Sequence, residues 1–300
     1  MRDRPTGSIV DNSEHTGLLL GLVGVVIFGL TLPATRVSLT GLDPYLIGLG
    51  RGVVAGVAAA LILAVTRQKW PRKKAWRPLI LASAGVVLGF PILATLAMQY
   101  VPASHGGIVL AILPLATAVA GVISAVERPS IGFWICSVAG SAAVLVFALI
   151  EGAGSTGVHK ADLLLAAAVA AAAIGYAEGG VLARSMGGWQ VICWALVIAA
   201  PILLIVLILI DTPINWNASA SAWAGFIYLA LFSQFLGFFA WYQGMAIGGV
   251  AKVGQLQLLQ IFVTLGAAAL LLGEQITWFE IAFALLVVAI VAVGRRMRVS

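Results

Sequence analysis

The stretch from Ser233 to Glu274 decides the fold. It opens Ser233-Gln234-Phe235-Leu236-Gly237-Phe238-Phe239-Ala240-Trp241-Tyr242-Gln243-Gly244-Met245 and turns at Ile247-Gly248-Gly249. It continues Lys252-Val253-Gly254-Gln255-Leu256-Gln257-Leu258-Leu259-Gln260-Ile261-Phe262-Val263-Thr264, then a second apolar run and Gly273-Glu274. This much apolar surface suits lipid, yet five glutamines interrupt it. An amide in a bilayer must find a partner, because an unsatisfied polar group there is costly. The amides are therefore expected to face other helices or a wet cavity. Gln234, Phe238, Trp241 and Met245 fall on one helix face. Val253, Gln257, Gln260 and Thr264 do the same on the next helix. The short turn between them predicts that the two helices pack side by side.

The whole chain has the same character. Its 300 residues are 62% hydrophobic and 9% charged, with a mean hydropathy of +1.09. Soluble domains carry about 25% charged residues, so the composition excludes a soluble fold. The net charge of +6 sits in connections between apolar runs, which argues against nucleic acid as a partner. A membrane-crossing helix needs about 20 apolar residues. That rule predicts ten spans: Gly17–Leu39, Pro44–Thr66, Pro78–Tyr100, Ser104–Val126, Ser130–Ile150, Asp162–Ala183, Trp189–Ile210, Ser221–Ala246, Val250–Gly273 and Ile276–Gly294. The expected class is an all-α integral membrane protein.

With the N-terminus in the cytoplasm, nearly every Lys and Arg falls inside. Only Lys160 lies in an outer loop, and Arg36 and Arg51 lie near the outer ends of their spans. This bias predicts that both termini are cytoplasmic. The halves also look related. Overlaying them places Met98 on Met245, Gly107 on Gly254, Thr117 on Thr264 and Glu127 on Glu274, with Gly29 on Gly175. Each half has five spans, an odd number, so the second would enter the membrane from the opposite side, as in inverted-repeat transporters. The expected divisions are a cytoplasmic tail at 1–16, repeats at 17–150 and 162–294, an outer linker at 151–161 and a tail at 295–300. The glycines at 29, 107, 175 and 254 are read as close-packing positions.

These features converge with a set of local motifs. They are Phe28-Gly29 through Arg36, Leu49-Gly50-Arg51, Val101-Pro102-Ala103-Ser104, Leu113-Pro114-Leu115 and Glu127-Arg128. The second half adds Trp241-Tyr242-Gln243-Gly244-Met245 and Leu272-Gly273-Glu274-Gln275. From about Gly17 to Arg296 the chain resembles the drug/metabolite transporter superfamily, of the ten-helix, EamA-like type. It departs at Phe28, where Trp is usual, and at Arg36, where Lys is common. It also looks like the bacterial exporters of aromatic amino acids within that group. The resemblance implies two inverted five-helix repeats and location in a bacterial inner membrane.

Enzyme signatures are missing: no phosphate-binding Gly-rich loop, no His-Glu-x-x-His and no Cys/His metal spacing. His15, His105 and His159 fall in the tail, at a helix end and in a loop. Cys136 and Cys193 read as small buried hydrophobes. Neither a cofactor nor a metal is expected, and a monomer is favoured.

The candidate substrate site comprises Gln234, Phe238, Trp241, Gln257 and Gln260, with Tyr176, Tyr100 and Pro114. The prolines inside spans each free a carbonyl four residues earlier, a polar group within a cavity. Gate or pairing roles fall to Arg36 and Arg51 at the outer rim, near Asp43, and to Glu178. Glu178 lies about 24 Å along its helix from Asp162 at 1.5 Å per residue, within reach of Arg184. A site with aromatic faces, amides and no midplane charge suits a neutral or zwitterionic solute bearing an aromatic group. The leading reading is an exporter of small metabolites, amino acids with aromatic side chains foremost, working by alternating access. Alternatives are an exporter or exchanger of drugs or phosphorylated metabolites, and a membrane scaffold or receptor that transports nothing.

Overall fold

The computed structural model describes residues 7–125, 131–151, 160–248, 253–254 and 256–296. Glu127, Arg128, Lys252, Gln255 and most of the 151–161 linker lie outside the described residues. The described elements are all helices, joined by short turns and irregular connections, and no strand occurs among the described residues. α1 runs Gly7–Gly29 and resumes as Thr31–Leu39. α2 is a π turn, Leu46–Gly50, that continues as Arg51–Val65. α3 runs Trp76–Ala82, then a π segment Ser83–Gly89, then Phe90–Ala97. α4 is Ala103–Leu110 and Leu113–Ala125. Next come α5 (Ile131–Glu151), α6 (Lys160–Met186) and α7 (Gly188–Leu209). α8 is Ala220–Ile227, a π segment Tyr228–Leu236 and Gly237–Gly248. α9 is Leu256–Leu259 and Gln260–Leu272, and α10 is Trp278–Arg296. Among the described residues, seven of these rods are long and apolar enough to cross a membrane. Large apolar side chains such as Leu61, Val65, Leu209 and Leu270 face outward, as lipid contact requires and water would penalise. The first helix starts at Gly7, so part of the expected tail is helical.

The rods pack in a pattern that exchanges the two halves. α1 packs on α8 and α9, and α6 packs on α3 and α4. α2 meets α7, α4 meets α9 and α5 meets α10. Swapping each rod with the one five places on maps this set of neighbours onto itself.

Small residues make the crossings close. Gly17 and Gly21 on α1 face Gly244 and Gly248 on α8. A Cβ on Gly244 would lie 2.8 Å from the Gly17 carbonyl oxygen. On the other side, a Cβ on Gly85 of α3 would strike Ala171 of α6 and come within 2.8 Å of the Gly175 nitrogen. With no Cβ between them, backbones approach until van der Waals contact holds them. Gly29 and Gly107 are equally tight, against Val263 and Thr264.

Polar ends are answered locally. Asp43 caps α2, accepting from the Tyr45 and Leu46 N–H groups, so it is not the partner of Arg51. Arg36 donates to the Met98 carbonyl at the end of α3. Gly273 takes a left-handed turn, φ 66°, which ends α9. The Glu274 carboxylate then accepts the Ala103 and Ser104 N–H groups at the start of α4, both at 2.9 Å. The Gly273-Glu274 motif therefore ties the two halves together. His105 and Asp162 form a buried pair at 2.7 Å between α4 and α6.

Gly244→Ala is expected to lower stability by about 1–3 kcal/mol, because the added carbon meets backbone that cannot step aside. At Gly266 a Cβ would meet nothing within 4 Å, so Gly266→Ala should leave the thermal melt of the detergent-purified protein unchanged or raise it.

Candidate functional site

Two freed carbonyls build the centre of the molecule. The α3 π segment closes with the Phe90 N–H on the Gly85 carbonyl, a five-residue step. The next such bond would join the Val86 carbonyl to residue 91, but Pro91 has no N–H. The Val86 oxygen is therefore orphaned inside the bundle, and the Gln234 Nε2 donates to it at 2.8 Å. Gln234 itself sits in the α8 π segment. Likewise Pro33 frees the Gly29 carbonyl, and the Thr264 hydroxyl donates to it at 2.8 Å.

Beside these contacts lies a small cavity lined by Phe28, Thr31, Arg51, Val86, Phe90, Ala172, Tyr176, Ser233, Gln234, Phe238 and Gln260. Its space admits about one water molecule. Both halves contribute to it. Phe28 packs on Phe238 with ring centroids 4.9 Å apart and on Tyr176 at 6.2 Å. The Thr31 and Ser233 hydroxyls bond at 2.8 Å across the halves. Arg51 Nη2 donates to the same Ser233 oxygen at 2.9 Å.

Of the expected substrate residues, Gln234, Phe238, Gln260 and Tyr176 come together here. Trp241 does not line the cavity. It is wholly buried behind it, with its ring centroid 6.0 Å from Phe28 and 5.7 Å from Tyr176. Trp241 lies seven residues past Gln234, about 10 Å further along α8, and packs against Gly24 of α1 instead. Gln257 is buried in the first turn of α9 and outside the lining. Tyr100 is 58% exposed at the end of α3, and Pro114 is buried in α4 where it breaks the helix; neither lines the cavity. Gln243 instead accepts the Gly188 N–H at the start of α7.

Two further expectations need correction. Among the described residues α8 and α9 do not pack along their length: α1 packs on both, and α8 meets Val253 near the turn, at Gly248. The α1 glycines make room on both sides, Gly24 against Trp241 and Gly21 against Val253 and Leu256. The cavity is not free of charge. Arg51, expected at the outer rim, is 2% exposed and turns inward to the Ser233 hydroxyl. Glu178, half-buried on α6, does not line the cavity. Thr31, Ser233, Phe28 and Phe90 are lining residues that hydropathy reading passed over. The hydroxyls at 31 and 233 were the available signal.

The comparisons fit this architecture. The model of the EamA-like transporter family matches residues 15–149 and again 159–294. The chain belongs to the EamA-like transporter family. It is 43% identical over 286 residues to the uncharacterized transporter YdeK of Bacillus subtilis (strain 168), covering 95% of this chain and 99% of that one. It is 29% identical over 255 residues to a probable terminal-alkyne amino-acid exporter of Streptantibioticus cattleyicolor, covering 83% of each. A crystal structure at 21% identity superposes with a TM-score of 0.63 over 93% of this chain and 96% of that chain, which is likeness of fold. The protein is a membrane transporter, not an enzyme, and its two family matches correspond to the two halves that exchange neighbours.

Gln234→Leu is expected to destabilise the fold by about 1–3 kcal/mol, because the Val86 carbonyl then stays buried without a donor. Thermal unfolding of the variant in detergent checks this.

Proposed function

We propose that this transporter exports small metabolites, amino acids with aromatic side chains foremost, through the cavity between its halves. The carrying observation is the lining itself: Phe28, Tyr176 and Phe238 form an aromatic wall, with the amides of Gln234 and Gln260 beside it. An aromatic side chain stacks on such a wall, and a polar head bonds to the amides. Among the described lining residues there is no carboxylate to hold an organic cation. A lone arginine balances one charge of a phosphate dianion and leaves the second buried without a partner. The printed name of the Streptantibioticus relative, an amino-acid exporter, supports the same class.

The reading places ten spans in a bacterial inner membrane as two inverted five-helix repeats with both termini in the cytoplasm. The distribution of Lys and Arg supports this orientation. Rocking of one half against the other would open the cavity to each side in turn.

Counterflow in proteoliposomes with each amino acid tests the reading. Phenylalanine and tryptophan should exchange, and Phe238→Ala should lower their ratio to leucine about 2- to 10-fold. Trp241→Ala should reduce folded yield instead, because the ring supports the wall from behind. Equal exchange of all solutes by the Phe238 variant and the parent would contradict the assignment of the wall.

A further inference from the structure

Arg51 is a cation held inside an apolar bundle. Its guanidinium stays protonated in proteins, and a charge at this depth calls for a counter-charge. Among the described residues none is supplied. The ion pair found there joins His105 to Asp162, Asp43 is engaged at its own helix start, and Glu274 caps α4. Arg51 has only the neutral Ser233 hydroxyl on Nη2, and its buried Nε has no partner in the structure. Across the same cavity the Gln260 Oε1, an acceptor, is also without one. One open donor on a fixed cation and one open acceptor thus share one small space.

We propose that Arg51 is the receptor for a carboxylate on the transported solute. The proposal rests on the reading that this cavity is the solute path, and it narrows the substrate class to compounds with a free carboxylate. A carboxylate takes the Nε–H and the adjacent Nη–H side by side, the bidentate geometry in which arginine outperforms lysine. An α-amino acid then directs its ammonium group to the Gln260 Oε1 and its side chain to the aromatic wall. The amide or decarboxylated amine of the same amino acid brings no negative charge, leaves the cation unanswered and is rejected. The carboxylate also competes with Ser233 for the guanidinium. Since Ser233 belongs to α8 and Arg51 to α2, solute entry loosens a contact between the halves.

The test uses the full chain, purified, in two assays. One is the ligand-induced rise in melting temperature. The other is inhibition of phenylalanine counterflow in proteoliposomes. The probes are phenylalanine, phenylalaninamide, phenethylamine and 3-phenylpropanoate. The parent protein should respond to phenylalanine and 3-phenylpropanoate and not to the other two. Arg51→Gln should weaken the response to both carboxylates about 10- to 100-fold and erase the preference over the amide. Arg51→Lys should recover part of it, as a point charge without the fork. Arg51→Gln is also expected to melt no lower than the parent, because it removes an unpaired buried charge. A merely structural arginine predicts the reverse: a lower melt with an unchanged carboxylate-to-amide ratio. If Arg51→Gln keeps the parent's ratio, the proposal is overturned while the exporter reading stands. If the parent exchanges no amino acid, the exporter reading falls, and the melting response to 3-phenylpropanoate against the amide still decides the role of Arg51. No response of the parent to either carboxylate overturns it.

Discussion

A carbonyl freed inside lipid must be answered by a side chain, and the centre of this molecule is organised by that requirement. Water is not at hand to satisfy the backbone, so a helix break survives only where a neighbour supplies the donor. Pro91 and the π register of α3 orphan the Val86 oxygen, and Gln234 answers it from the other half. Pro33 frees the Gly29 oxygen, and Thr264 answers it, also from the other half. Each break in one repeat is thus a fixed point of contact with the second. The same rule holds at the helix ends, where Glu274, Gln243 and Arg36 bond to termini of other helices. Several polar residues of this apolar chain hold its halves in register, Gln234, Thr264 and Glu274 among them.

Close packing makes those contacts reachable. α1 and α6 are slender because glycine and alanine occupy their crossing faces. Each can therefore stand between two rods of the opposite half. The central aromatic residues then converge from three helices, Phe28 from α1, Tyr176 from α6 and Phe238 from α8. Where the breaks and the slender rods coincide, the packing leaves a polar gap with a cation on its wall. In this structure the gap is nearly closed, with the Arg51–Ser233–Thr31 chain spanning it. A transporter needs such contacts between halves to be few and exchangeable, and hydroxyl bonds meet that need better than an interlocked apolar core.

Much of this was legible in the sequence. Hydropathy located the helical runs, since length and apolarity depend on local composition alone. The parallel layout of the halves anticipated the double family match. Gln234, Phe238, Gln260 and Tyr176 stood out as amides and aromatics in lipid, and they share a cavity. What the sequence concealed was depth. Hydropathy carries no signal of where a cavity sits along a helix, so Trp241, on the same face as Gln234 but about 10 Å further along α8, lies behind the wall. A short turn suggested that α8 and α9 pack along their length, and it is the three-dimensional path of α1, packed on both, that comes between them. Arg51 was misplaced because its Cα lies near a helix end while its long side chain reaches inward. His105 and Asp162, far apart in the chain, gave no sign of pairing.

The central claim is that the cavity holding Gln260 is the solute path and opens to each side of the membrane in turn. Replacing Cys136 and Cys193 with Ala and Gln260 with Cys places one thiol there. Labelling it with a small charged thiol reagent, added separately to each face of oriented vesicles, tests the claim directly. The account predicts labelling from both faces, slowed on both by saturating phenylalanine. Labelling from one face alone, or rates that transported solutes leave unchanged, would contradict it.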